Sequence, residues 1–177
     1  MNTLDIAYLH ECFIYEYGTG IVSWRCRPMT HFSNPKTHAQ WNSRCAGKEA
    51  GTLNSYGYKV VKVGGTPIMV HRVAYALFYG KWPKDKLDHR NRMREDNRIE
   101  NLREATEHQN QGNKKLQKNN TTGFKGVSYV KRKNRYRAQI KIEGRILTLG
   151  TRKTAEEASG MYLEAATKHF GEFATLG

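Results

Sequence analysis

The chain has 177 residues, 38% of them hydrophobic, which is enough for one ordinary domain or two small ones. Its formal net charge of +14 and its pI near 9.8 make polyanions its natural partners, nucleic acid first. There is no apolar run of membrane-spanning length, and the stretch MNTLDIAYLHECF carries acids and no basic leader, so neither membrane insertion nor secretion is expected.

The first third is rich in aromatics and turn formers. FIYEYGTGIVSWRCRP reads as two short strands about Gly18-Thr19-Gly20, followed by a looser polar loop to Gly51. Cys12, Cys26 and Cys45 are odd in number and far apart, with no Cys-x-x-Cys pair, so they read as reduced thiols holding neither zinc nor a disulfide. GYKVVKV and TPIMVHRV are β-rich runs about Gly64-Gly65, a pair that tolerates the positive backbone angles of a tight hairpin. HRVAYALFYG follows at helical spacing, with Gly80 placed to end it.

KWPKDK leads into LDHRNRMREDNRIENLREATEHQN, residues 87–110, which holds almost nothing that could build a core. QGNKKLQKNNTTG then reads as a linker. Beyond it GFKGVSYV, RYRAQIKI and RILTLG are three strand-like runs with turns at Lys133-Asn134 and Glu143-Gly144. A helix is predicted after them, capped by Thr154 with Glu157 three residues on. The fold class is α+β, with an N-terminal domain over 1–113 (lead-in 1–55, then hairpin, helix and polar motif over 56–113), a linker over 114–121, and a C-terminal sheet with one helix over 122–177.

Within the polar stretch Asp88 and His89 are adjacent, and on an extended strand neighbours point to opposite faces. One can therefore grip a metal while the other addresses something else. Asn101 stands before LREATEHQN with Glu104 three residues later, so a helix is predicted from Leu102 with Asn101 as its N-cap. On that helix Asn110 projects inward and can face the strand bearing Asp88 and His89. A carboxylate and an amide oxygen suit Mg²⁺ or Mn²⁺, and a histidine beside them can take a proton from water. Metal, base and a basic chain together point to phosphodiester hydrolysis.

Residues 87–110 resemble the HNH motif of phage homing endonucleases, whose pattern runs Asp-His, a loop with Asn-Asn, Asn-Leu-Arg and finally Gln-Asn. The resemblance implies a ββα-metal (His-Me finger) nuclease domain. In it Asp88 and Asn110 are metal ligands for Mg²⁺ (or Mn²⁺), His89 is the catalytic base and Asn101 braces the loop as part of the catalytic set. It also implies duplex DNA as substrate and a cytoplasmic place of action, the host cell's if the chain is phage-encoded; no obligate protein partner is evident in the sequence. Arg90-Asn91-Arg92-Met93 stands where the family has Ile-Asp-Gly-Asn, and Asp96 replaces the first Asn of Asn-Asn, which bears on loop geometry. His71 reads as a packing residue or a phosphate contact.

In RYRAQIKI, Arg135, Arg137, Gln139 and Lys141 alternate with Tyr136, Ala138, Ile140 and Ile142, giving a basic face and a core face. Lys131, Arg132, Lys133 and Arg145 are predicted to extend the basic patch. Such a sheet can lie in a major groove. GFKGVSYV through TKHFG resembles the AP2 DNA-binding domain, here fused to a nuclease, with its Gly-Val, Ala-x-Ile, Leu-Gly and Thr-Ala-Glu-Glu-Ala landmarks. In the plant transcription-factor branch first-strand arginines read guanine, whereas Ser128 and Val130 stand near those positions here, so base specificity is expected to differ. A non-catalytic AP2-type DNA-binding regulator and an RNA-directed nuclease or binder are the rival readings.

Overall fold

The computed structural model describes residues 4–117 and 119–175, without the side chains of His108 and Gln111. Lys118, inside the expected linker, and the ring of His108 lie outside the described residues. The protein is α+β with several sheets, and it divides into two compact units, Met1–Glu104 and Ala105–Gly177.

The N-terminal unit opens with α1 (Ile6–Cys12), started by Asp5, whose carboxylate accepts a hydrogen bond from the Ala7 N–H at 3.2 Å. The predicted first hairpin follows as β1 (Phe13–Glu16) and β2 (Ile21–Trp24), antiparallel with Phe13 opposite Trp24. The expected polar loop instead contains α2 (Pro35–Cys45), with Asn34 Oδ1 accepting from Thr37 N at 2.8 Å and proline at the first helical turn. None of its residues is buried, so it has no apolar stripe to betray it, although Asn34-Pro35 is a helix-start signal. All three cysteines are free.

A three-stranded antiparallel sheet comes next: β3 (Thr52–Leu53), β4 (Lys59–Val63) and β5 (Thr66–Met69), in that order. Gly64 and Gly65 both take positive φ, 56° and 78°, as the tight turn requires. Helix α3 (Val70–Tyr79) ends on Gly80 in the left-handed conformation. Its buried side, with Val70, Val73, Ala74, Ala76 and Leu77, forms one core with Leu9, Cys12, Phe13, Val22, Val61 and Val63. A second, smaller cluster joins Tyr75 of α3 to Leu87, Ile99 and Leu102, and it fixes the polar segment onto the helix.

That segment begins as β6 (Lys86–His89), passes through a loop and a 3-10 turn (Ile99–Asn101), and pairs back as β7 (Leu102–Ala105) before α4 (Glu107–Gly112). The helix expected from Leu102 is therefore a strand, because Leu102 is drawn into the apolar cluster with Leu87 and Ile99. The cap moves to Thr106. Its Oγ1 accepts from Gln109 N at 3.2 Å while Gln109 Oε1 accepts from Thr106 N at 2.9 Å, a reciprocal capping box.

The C-terminal unit holds β8 (Val127–Val130), β9 (Arg135–Ile142) and β10 (Arg145–Arg152), an antiparallel meander in the order β10-β9-β8. Its turns use positive φ at Asn134, Glu143 and Gly144. Helix α5 (Ala155–Phe170) starts at the predicted Thr154–Glu157 capping box. Ala158, Tyr162, Ala166 and Phe170 of α5 face Ala138 and Ile140 of β9 and Val127 of β8. Helix α4 packs with this unit: a Cβ on Gly112 would meet Phe170 at 2.8 Å, and Lys125 Nζ donates to Gly112 O at 2.6 Å. These contacts place the division between units ahead of the 114–121 segment.

Candidate functional site

On β6 the burial alternates, with Leu87 and His89 turned inward and Asp88 toward the opposite face. Asp88 Oδ2 accepts two hydrogen bonds from Arg103 on β7, from Nε at 3.0 Å and Nη2 at 2.9 Å. Arg103 is only 8% exposed, so this is a largely desolvated ion pair, and nothing in residue spacing announced it. Sequence reasoning missed Arg103 because partners across paired strands depend on register.

His89 is 4% exposed and Asn97 3%, and His89 Nε2 lies 3.3 Å from Asn97 Oδ1. An amide oxygen can only accept, so Nε2 carries the proton and the ring's basic lone pair is on Nδ1. Burial lowers the His89 pKa, and the Asn97 bond and the carboxylates of Asp88 and Asp96 only partly offset it. The imidazole is therefore neutral and able to accept a proton near neutral pH. His71, read as a packing residue or phosphate contact, is buried with its ring 5.1 Å from that of His89 and nearly perpendicular to it. Burial, then the neighbouring His89 and Arg72, pushes its pKa down to about 3. The Tyr58 ring contacts both imidazoles, at 5.4 Å and 5.9 Å, and carries Arg94 on it at 5.0 Å.

The loop between β6 and β7 closes on itself. Asn101 Oδ1 accepts from Asn91 N at 2.9 Å and its Nδ2 donates to Asp96 O at 2.7 Å, so its side chain ties the two ends of the loop together instead of capping a helix. Asp96 accepts from Arg98 Nε at 2.9 Å and Nη2 at 2.8 Å and from Asn91 Nδ2 at 2.7 Å, and these bonds pull its carboxyl pKa down to about 2. Arg92 takes φ 63°, at the position where the resembled motif has glycine. From the first hairpin, Tyr15 donates to Asn97 O at 3.0 Å. Gly20, φ 76°, presses against the loop so closely that a Cβ would lie 2.4 Å from Arg98 N.

Asn110 lies on α4 of the C-terminal unit, half-buried, with its N–H bonded to Thr106 O at 3.0 Å. Among the described residues no three His, Cys, Asp or Glu side chains group as a metal cage. No described helix is long and apolar enough to cross a membrane.

On β9, Ala138 and Ile140 are buried under α5 while Arg135 and Lys141 are exposed on the other face and Arg137 is half-buried there. Lys131 and Lys133 occupy the exposed turn between β8 and β9. Arg145 departs from the expected patch: it pairs with Ile142, and antiparallel partners share a face, which puts it on the side of the core strand positions. The two-residue turn at Glu143-Gly144 already contained that pairing.

A family model described as HNH endonuclease matches residues 69–111, which span α3, β6, the loop, β7 and most of α4. No curated protein matches the chain, and no solved structure does. The polar segment is thus associated with the HNH nucleases, and that association implies interaction with nucleic acid in general.

Proposed function

We propose that the protein is a metal-dependent endonuclease of the homing type that hydrolyses phosphodiester bonds in duplex DNA, with a ββα-metal centre in the 1–113 region and an AP2-like sheet that holds DNA. The observation that carries the reading is His89: buried, kept neutral, and oriented by Asn97 inside the segment that matches the nuclease family. Oriented by Asn97, the His89 imidazole takes the proton from an attacking water, which contributes on the order of 10²- to 10⁴-fold. The Tyr58–His71 wall restrains the ring, and Asn101 and Asp96 hold the loop that carries Asn97.

The donor chemistry at Asp88 fits a hard divalent cation. The Arg103 ion pair fixes the carboxylate in one orientation, and a carboxylate is an oxygen donor of the kind Mg²⁺ or Mn²⁺ takes. The spacing of Asn110 from His89 makes it the proposed second oxygen ligand. When bound, the cation supplies neutralisation of the charge that develops on phosphate and leaving oxygen. Arg135, Arg137 and Lys141, with Lys131 and Lys133 at the turn, are proposed DNA contacts.

The deciding experiment is cleavage of duplex DNA and of RNA by the whole chain with Mg²⁺, with Mn²⁺ and with excess chelator. Metal-dependent cutting of duplex DNA is expected. Cutting that persists in chelator would overturn the metal assignment, preference for RNA would favour an RNA-directed nuclease, and tight duplex binding without cutting would favour a regulator.

A further inference from the structure

Three basic side chains alternate along the outer face of β9, and their surroundings differ. Antiparallel register gives Arg137 a neighbour on each side, Ser128 on β8 and Thr151 on β10. Arg135 is partnered by Val130 on β8, and Lys141 by Ile146 on β10. Arg137 therefore sits where the sheet is three strands wide, and the other two sit toward its ends.

Burial separates them further. The Arg137 Nε is buried and has no hydrogen-bond partner, and neither does the buried Ser128 Oγ beside it in the same row. The adjacent row is closed, because Gln139 Nε2 donates to Thr148 Oγ1 at 3.1 Å. Native structures keep few such orphaned buried groups, since each forgoes a hydrogen bond without regaining water. Two of them in one cross-strand row show that this row closes no hydrogen bonds of its own through these atoms, and the half-buried Arg137 is where an outside partner can reach it. Arg135 and Lys141 stand on the same face toward its two ends, so the partner is a polyanion.

A guanidinium seated between two strands is a fork of set direction, and it loses little freedom when it makes paired hydrogen bonds. On nucleic acid the matching acceptor pairs are two phosphate oxygens or the O6 and N7 of guanine. Position decides between them. When a sheet face lies in a major groove its middle meets base edges, and its ends meet the two backbones.

We propose that the Ser128–Arg137–Thr151 row is the sequence-reading element of this sheet, with Arg137 bonding a guanine in the major groove of duplex DNA, while Arg135 and Lys141 hold phosphate. This rests on the reading that the sheet face meets duplex DNA, and it adds which residue discriminates between sequences and for which base.

The test uses the whole chain in chelator, so that nothing is cut. Bound sequences are selected from duplexes with a randomised centre, and binding is then measured to the selected duplex with 7-deazaguanine, which lacks N7, placed at each guanine in turn. One position is expected to weaken binding of the unaltered protein roughly 10-fold. Arg137→Gln should lose that sensitivity and the preference for guanine there, whereas Arg135→Gln should bind all duplexes more weakly and keep both. The unaltered protein's response to 7-deazaguanine needs no variant to fold, and matched thermal unfolding of Arg137→Gln checks the rest.

Sensitivity at no guanine, a preference unchanged in Arg137→Gln, or an equal loss on every duplex would each overturn the proposal and leave the DNA-facing sheet standing. A salt dependence unchanged when Arg135, Arg137 and Lys141 are replaced together would overturn the DNA-facing sheet as well, as would preferential binding of RNA in competition.

Discussion

The polar groups of the β6–β7 loop are spent on one another, whereas the exposed basic side chains on the outer face of β9 are held out. Asp88 is tied to Arg103, His89 to Asn97, Asp96 to Arg98 and Asn91, and Asn101 to both ends of the loop. On β9, Arg135 and Lys141 project into solvent and Arg137 keeps an unpartnered Nε. The difference follows from what each region is proposed to do. Proton transfer needs a side chain fixed in one tautomer and direction, so its neighbours must be satisfied from within. Recognition needs donors still available when the partner arrives.

The largest expected effect lies in the closed region. His89→Ala should lower cleavage by roughly 10²- to 10⁴-fold with duplex affinity nearly unchanged, as measured by single-turnover cutting and by binding in chelator. Cutting at the parental rate would remove His89 from the mechanism. Arg103→Ala should leave the Asp88 carboxylate desolvated without its guanidinium and cost about 3 kcal/mol or more in denaturant unfolding. A loss below 1 kcal/mol would mean that the pair is effectively solvated.

Acid should also act on the closed region first. His71 has a folded pKa of about 3 against 6.5 in the unfolded chain, so between those values the unfolded state takes up a proton that the folded state refuses. The resulting stability is fully present above pH 6.5 and declines as pH falls toward 3, with burial of His89 adding in the same direction. Unfolding free energy should drop by about 3 kcal/mol between pH 6.5 and 4. His71→Phe should flatten that slope, and an equally steep slope in the variant would place the titration elsewhere.

The open face should respond to salt and scarcely to pH. Arg135→Gln and Lys141→Gln together should reduce the slope of log affinity against log salt by about 1.8, since each phosphate contact contributes about 0.9. Their thermal unfolding should match that of the parent. The smallest effect is a gain: Arg92→Gly relieves a left-handed backbone at a non-glycine residue and should raise stability by about 1 kcal/mol in the same denaturant measurement. No change would show that the loop's hydrogen bonds already absorb the strain.

The legible parts of the fold were those written in short-range chemistry. Gly64-Gly65, Gly80 and the Thr154–Glu157 pair each fix a turn or a helix end by themselves, and the structure uses all of them. Two adjacent cap signals, Asn101 with Glu104 and Thr106 with Gln109, competed for one helix. The choice fell to Thr106 because Leu102 is needed in a cluster with residues as distant as Tyr75. Helix α2 was missed for the opposite reason, since its residues bury nothing that a periodic pattern could report. In the candidate site the polar residues themselves could be read from the sequence, whereas their partners could not: Arg103 reaches Asp88 across a strand pair, and Asn97 reaches His89 around a loop.

The contact between Gly20 and the loop ties distant parts of the chain into one unit of inheritance. The turn between β1 and β2 lies against the backbone at Asn97 and Arg98, and Tyr15 on the same hairpin bonds Asn97 O. The residues that match the nuclease family thus end their own sequence segment without containing everything that shapes it. A graft of 69–111 onto another scaffold would carry the Asp-His pair but leave behind the surface against which Asn97 is set, so this hairpin and this loop have to be exchanged together.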